Sequence, residues 1–178
     1  MKQTTSVNIA FKGNIKSDPV EVPFANVVLK ELQWTMNSLT KKSCDTEIGY
    51  FQVEFFRYGC PNEYIIPLNY FWWCDTSVKF ESSHLAEKYV EEQLKNRVKR
   101  TLQDIFYFGQ SWKPINTGTQ DFMLRTPICD IFLGKDSETS RFHFFAPWGL
   151  TQVPADVKEP KEWVVEELKR RLLSLIEN

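Results

Sequence analysis

Long apolar stretches are missing from this sequence. The longest unbroken run, YFWWC at residues 70–74, falls far short of the roughly 20 residues a membrane helix needs. The opening segment MKQTTSVNIAFKGNIKSDPV has no continuous apolar stretch and no small-residue cleavage site, and no lipidation motif closes the chain. The expectation is a cytoplasmic protein with no membrane attachment.

Glycine is scarce, with 7 residues, and Gly109, Gly118, Gly134 and Gly149 are isolated. No glycine-rich phosphate loop and no dinucleotide fingerprint can be assembled from them, so no cofactor is expected. Histidine is scarcer still: only His84 and His143 occur, and no helical His-x-x-x-His pair exists. The four cysteines at 44, 60, 74 and 129 are too widely spaced for a zinc finger or ribbon. A chain this long buries enough surface to need no disulfide, so four free thiols and no metal are expected. An excess of either charge is also absent. Lys and Arg number 22 against 23 Asp and Glu, a net charge of −1, which argues against phosphate-backbone binding.

Aromatic residues are abundant: 14 Phe, 6 Tyr and 6 Trp make up 15% of the chain. They supply large apolar area with polar handles, which suits either a dense core or an adhesive face. At 178 residues, a single globular domain over 1–178 is expected.

Val7, Ile9 and Phe11 alternate as in a strand that closes at Gly13-Asn14. Phe24, Val27, Val28, Leu32, Met36 and Leu39 then recur at three- and four-residue steps, which predicts a helix ending at Lys41-Lys42. Residues 48–58 and 63–74 read as two strands of a hairpin turning at Pro61-Asn62. Ser82 or Ser83 caps a second predicted helix that runs to about Tyr107 and stops at Gly109. Residues 110–120 read as a loop, followed by strands over 121–125, 128–133 and 141–146. A last helix starts near Pro160 with Val164, Leu168, Leu172 and Leu175 on one face. The order β-α-β-β-α-β-β-β-α defines an α+β domain with a mixed or antiparallel sheet and three helices. Its first six elements have the split βαβ order of ferredoxin-like domains.

A Pro61-Asn62 turn sets Tyr50 opposite Trp73 and Gln52 opposite Phe71. One hairpin face then holds Phe51, Val53 and Phe55 with Trp72, Tyr70 and Leu68, and reads as core. The other mixes Tyr50, Phe56, Tyr58, Phe71 and Trp73 with Gln52, Glu54 and Asn69. Such a face is neither a normal core nor a normal solvent surface, and Tyr and Trp are enriched where partners dock. Tyr50, Glu54, Phe56, Tyr58, Phe71 and Trp73 are therefore the candidate binding residues.

His84 in a first helical turn and His143 among phenylalanines read as structural, as do the solvated pairs Glu91-Glu92 and Glu166-Glu167. Asp130, between Cys129 and Ile131, either faces solvent or is buried with a partner. The basic stretch 95–100 follows Glu87, Glu91 and Glu92 on one helix, an order that suits the helix dipole without a ligand. The expectation is a non-catalytic protein-binding module (adaptor, inhibitor or immunity-type) whose partner is another protein. The alternatives are single-stranded nucleic-acid binding through stacked sheet aromatics and an enzyme whose Cys/His or carboxylate site only the fold assembles.

Overall fold

The computed structural model describes residues 24, 27–55, 63–67, 71, 73–75, 77–116, 118 and 120–177. They form a four-stranded antiparallel meander, a long helix, a five-stranded antiparallel meander and a second helix. The first sheet comprises β1 (Thr35–Ser38), β2 (Lys41–Thr46), β3 (Gly49–Phe55) and β4 (Tyr64–Ile65). Helix α1 spans Ser83–Tyr107. The second sheet comprises β5 (Trp112–Pro114), β6 (Phe122–Arg125), β7 (Asp130–Lys135), β8 (Phe142–Ala146) and β9 (Gly149–Gln152). Helix α2 spans Pro160–Ser174.

The class is α+β, and the described residues form two helices and two separate antiparallel sheets in place of three helices and one sheet. In each sheet the strands lie in chain order. A split βαβ unit instead interleaves strands from both halves, so the ferredoxin-like order does not describe this chain. The predicted strand over 7–11 lies outside the described residues.

The predicted helix over 24–42 is replaced by an extended segment followed by β1, a turn and the start of β2. Thr35, Asn37, Ser38, Thr40 and Ser43 are poor helix formers whose side chains compete for backbone groups. Ser38 Oγ accepts from the Thr40 amide at 3.2 Å, and Asn37 Nδ2 donates to Ser43 Oγ at 2.7 Å. The apparent apolar stripe does not share one environment: Val27 is buried, whereas Met36 and Leu39 are exposed. Upstream, the Lys30 amide donates to the Leu175 carbonyl and the Glu177 amide to that of Val28, at 2.9 and 3.0 Å. Those bonds hold the segment extended along the end of α2.

Both predicted C-terminal helices form. Ser82 Oγ accepts from the Leu85 amide at 3.2 Å, and Gly109, at φ +69°, lets the chain leave α1 in a left-handed turn. Helix α1 buries Ala86, Val90, Leu94, Val98 and Leu102, and α2 buries Val164, Leu168 and Leu172. These two stripes meet Phe51 from the first sheet and Leu124, Ile131, Leu133 and Phe144 from the second in a shared core.

Candidate functional site

The hairpin face expected to dock a partner is divided between solvent and core. Strand β3 pairs with β4 through Glu54–Ile65 and Phe55–Tyr64, so the register is not the one a Pro61-Asn62 turn implies. After β4 the chain leaves the sheet. Phe71 and Trp73, expected on the outer face beside Tyr50, are instead buried against Phe51, with ring centroids 4.6 and 6.0 Å away. The Trp73 indole donates to the Ile128 carbonyl at 2.7 Å, an interior anchor that an outward ring could not reach. Phe56 and Tyr58 lie outside the described residues.

Tyr50 and Glu54 do face outward, but on a polar surface. Tyr50 donates its hydroxyl to Gln52 Oε1 at 3.2 Å, Gln52 Nε2 donates to Glu54 Oε1, and Lys41 pairs with Glu54. Ser43 and Asp45 stand across the strand pair from Gln52 and Tyr50. This is the polar outer face expected of a solvated antiparallel sheet.

A cleft of about 600 Å³ opens between the segment before β1, the β2–β3 turn, the β8–β9 turn and the end of α2. Both of its cations are held by the protein itself: Lys30 Nζ donates to the Ser174 carbonyl at 2.8 Å, and Arg171 is fixed at three points. The Arg171 Nε reaches Glu167 Oε1 at 2.7 Å, its Nη1 reaches the Glu47 carbonyl at 2.6 Å, and its guanidinium lies 5.0 Å from the Trp148 ring centre. The residues of this cleft join two sheets and a helix, and the charge that could hold a ligand is occupied in that joint.

Most of the titratable candidates are equally committed. Burial pushes the thiols of Cys44 and Cys129 up to about 11 and about 12, so neither supplies thiolate near neutral pH. Cys74 is buried, and Cys60 lies outside the described residues. Asp130 takes Arg125 in a two-point pair, at 3.1 and 3.0 Å. Arg97, in the basic stretch of α1, donates to the Pro127 carbonyl at 2.9 Å and covers the Trp73 ring at 5.1 Å. His84 is exposed, and His143 Nε2 is buried with no hydrogen-bond partner among the described residues. No group of three or more His, Cys, Asp or Glu suited to a metal occurs among the described residues.

The second sheet presents the opposite kind of outer face. Its strand register aligns Lys113, Met123, Phe132, Phe145 and Leu150 in one row across all five strands. Phe132 and Phe145 are 40% and 39% exposed, and Leu150 is 72% exposed. Their neighbours along the strands, Ile131, Leu133, Phe144 and Ala146, point into the core. Two residues to one side of the row lie Arg125 and Asp130. On the other side lie Asp121, Gly134 and His143. A Cβ on Gly134 would come within 2.9 Å of Asp121 Oδ1, so this glycine leaves room for the Asp121 carboxylate to cross the sheet face.

None of these row residues was singled out from sequence. The available signal was the pair of unbroken apolar stretches, IFL at 131–133 and FFA at 144–146, where a one-sided antiparallel strand should alternate.

Compared with models of protein families, with curated proteins and with solved structures, this chain finds no match. No described helix is long and apolar enough to cross a membrane.

Proposed function

We propose that this chain is a non-catalytic protein-binding module that docks through the outer face of its five-stranded sheet. The observation that carries the reading is the row Met123–Phe132–Phe145–Leu150, with three exposed members in adjacent register. Single exposed apolar side chains are ordinary, but a contiguous apolar stripe marks an interaction surface. On its other sheet the same chain sets Lys41, Gln52, Glu54 and Asp45 on the outer face around Tyr50, which sharpens the contrast. Phe132 and Phe145 are aromatic anchors on a rigid ladder, so little side-chain entropy is lost when a partner covers them. The formal charges around the row, Lys113 and Arg125 against Asp121 and Asp130, cancel. That balance supports an apolar, uncharged partner surface over a phosphate backbone.

The test is a photo-cross-linking amino acid placed at position 145, and separately at position 52 on the polar sheet, in host cells. A protein adduct forming at 145 and not at 52 is expected. No adduct at 145, or equal adducts at both positions, overturns the reading. An adduct that nuclease removes and protease does not would transfer the site to single-stranded nucleic acid.

A further inference from the structure

We infer that residues 7–11 of this chain add a strand to the second sheet, paired to the open edge of β9. The inference concerns the edge beside the apolar row and stands whether or not that row docks a partner. What points to it is the direction of the β9 backbone groups. The Val153 amide donates to the Phe142 carbonyl at 2.9 Å, which makes 142–153 a bonded pair in register with the β8–β9 ladder. Bonded and non-bonded pairs alternate along an antiparallel ladder. Thr151 therefore turns its N–H and C=O towards β8, whereas Leu150 and Gln152 turn theirs away. No described strand lies on that side of β9 to pair with them.

The other described edges are blunted. On β5, the Ile115 amide donates to the Asp121 carbonyl at 2.9 Å, so Trp112 and Pro114 are the outward residues, and Pro114 has no N–H to offer. Strand β1 is bulged between Met36 and Ser38. Strand β4 has two residues, and Tyr64 already exchanges both backbone bonds with Phe80. Strand β9 reads Gly-Leu-Thr-Gln, with no charge, proline or register shift, and its Leu150 is 72% exposed. An edge of this kind is a template for one more strand.

The sequence names the occupant. Val7, Ile9 and Phe11 have the two-residue period of a strand that closes at Gly13-Asn14, and they lie outside the described residues. Their reach suffices. The Phe24 ring lies 5.1 Å from that of Phe106, which Lys169 Nζ approaches to 4.6 Å. Nearly opposite Lys169 around α2, Arg171 lies 5.0 Å from the ring of Trp148, the residue before β9. Across a helix about 10–12 Å wide, that path puts Phe24 within about 30 Å of the start of β9. Residues 12–23 span about 40 Å when extended. With their apolar side chains on the outer face, Val7, Ile9 and Phe11 flank Leu150, and Asn8 and Ala10 fall on the side of Thr151.

Amide hydrogen exchange of the full chain, resolved by residue with NMR, tests the pairing. In wild type the Leu150 and Gln152 amides are expected to exchange about tenfold or more slowly than in an open chain, at every protein concentration. Ile9→Pro removes a strand donor and should return both to open-chain rates, while Thr151 stays protected by β8. Leu150→Pro removes an outward N–H and spares the β8 ladder, so it should speed exchange within residues 7–11. Two variants on opposite partners guard against either one failing to fold. Open-chain rates at Leu150 and Gln152 in wild type overturn the inference. Protection that survives Ile9→Pro, or that grows with protein concentration, overturns residues 7–11 as the occupant and assigns the edge to another strand or a second copy. None of these rates bears on the adduct at position 145, which tests the docking face separately.

Discussion

The Trp73 indole nitrogen lies 2.7 Å from the Ile128 carbonyl oxygen, a bond that ties the segment after β4 to the turn leading into β7. Its ring also packs at 5.4 Å from Phe71 and beneath the Arg97 guanidinium. One side chain thus connects the first sheet, helix α1 and the second sheet.

Replacement of that side chain should therefore act on stability. Trp73→Ala is expected to cost about 3–5 kcal/mol, as for a buried large aromatic. Trp73→Phe retains a ring but leaves the Ile128 carbonyl unpaired, at about 1–3 kcal/mol. Gln52→Ala, on the solvated face of the first sheet, should fall within about 0.5 kcal/mol of wild type. Urea unfolding midpoints at constant slope measure all three.

Leu168 is fully buried on α2, and its neighbour Lys169 pairs at the surface with Glu166 at 3.2 Å. Leu168→Ala should cost about 2–5 kcal/mol, and Lys169→Ala less than about 1 kcal/mol. Thermal unfolding that moves alike for both would mean the helix face is wrongly placed.

Cys44 and Cys129 bear on stability at high pH. Their folded-state pKa values lie above the ordinary 9.0, so the unfolded chain ionises first. The stabilisation this gives is whole below pH 9.0 and is lost as pH climbs towards about 11 and about 12. Stability measured across that window should fall, less steeply in Cys129→Ala. In the native protein at neutral pH both thiols should react with a disulfide reagent only as fast as the chain opens.

At low pH the group to follow is Glu167. Hydrogen bonds from Arg170, and from Arg171 beside it, hold its carboxyl below the usual 4.5. A depressed folded pKa gives stability that is present above 4.5 and lost as pH falls through the folded value. Glu167→Gln should narrow the stability gap between neutral and acid pH. An unchanged gap would remove this carboxylate from the account.

The two helices were legible because their signals are local: a cap at Ser82, Pro160 in the first turn of α2, and buried residues every three or four positions. The central strands β6, β7 and β8 fall where their apolar runs placed them. The strand-rich segment 35–46 was obscured because Val27, Leu32, Met36 and Leu39 mimic a helical period, although a distant partner, Leu175, fixes the chain just upstream. Strands β5 and β9 have 3 and 4 residues, too few to carry a period. The faces of Phe71 and Trp73 depended on a hairpin register that tertiary packing overrode. The exposed row was hidden for a related reason. A run such as Ile131-Phe132-Leu133 does not say which of its residues points outward.

The clasp between residues 28–30 and 175–177 joins segments that lie on either side of both sheets in the chain. Every ladder in those sheets links sequence neighbours, so each can form with little loop-closure entropy, whereas the clasp closes the longest loop among the described residues. It can therefore assemble efficiently only on sheets and helices that are already in place. It can also release without breaking any ladder bond, uncovering Val27 and Leu175 while the rest of the core stays packed. The fold thus has a seam, and partial opening under thermal or proteolytic stress should begin there before it reaches the tryptophan-anchored centre.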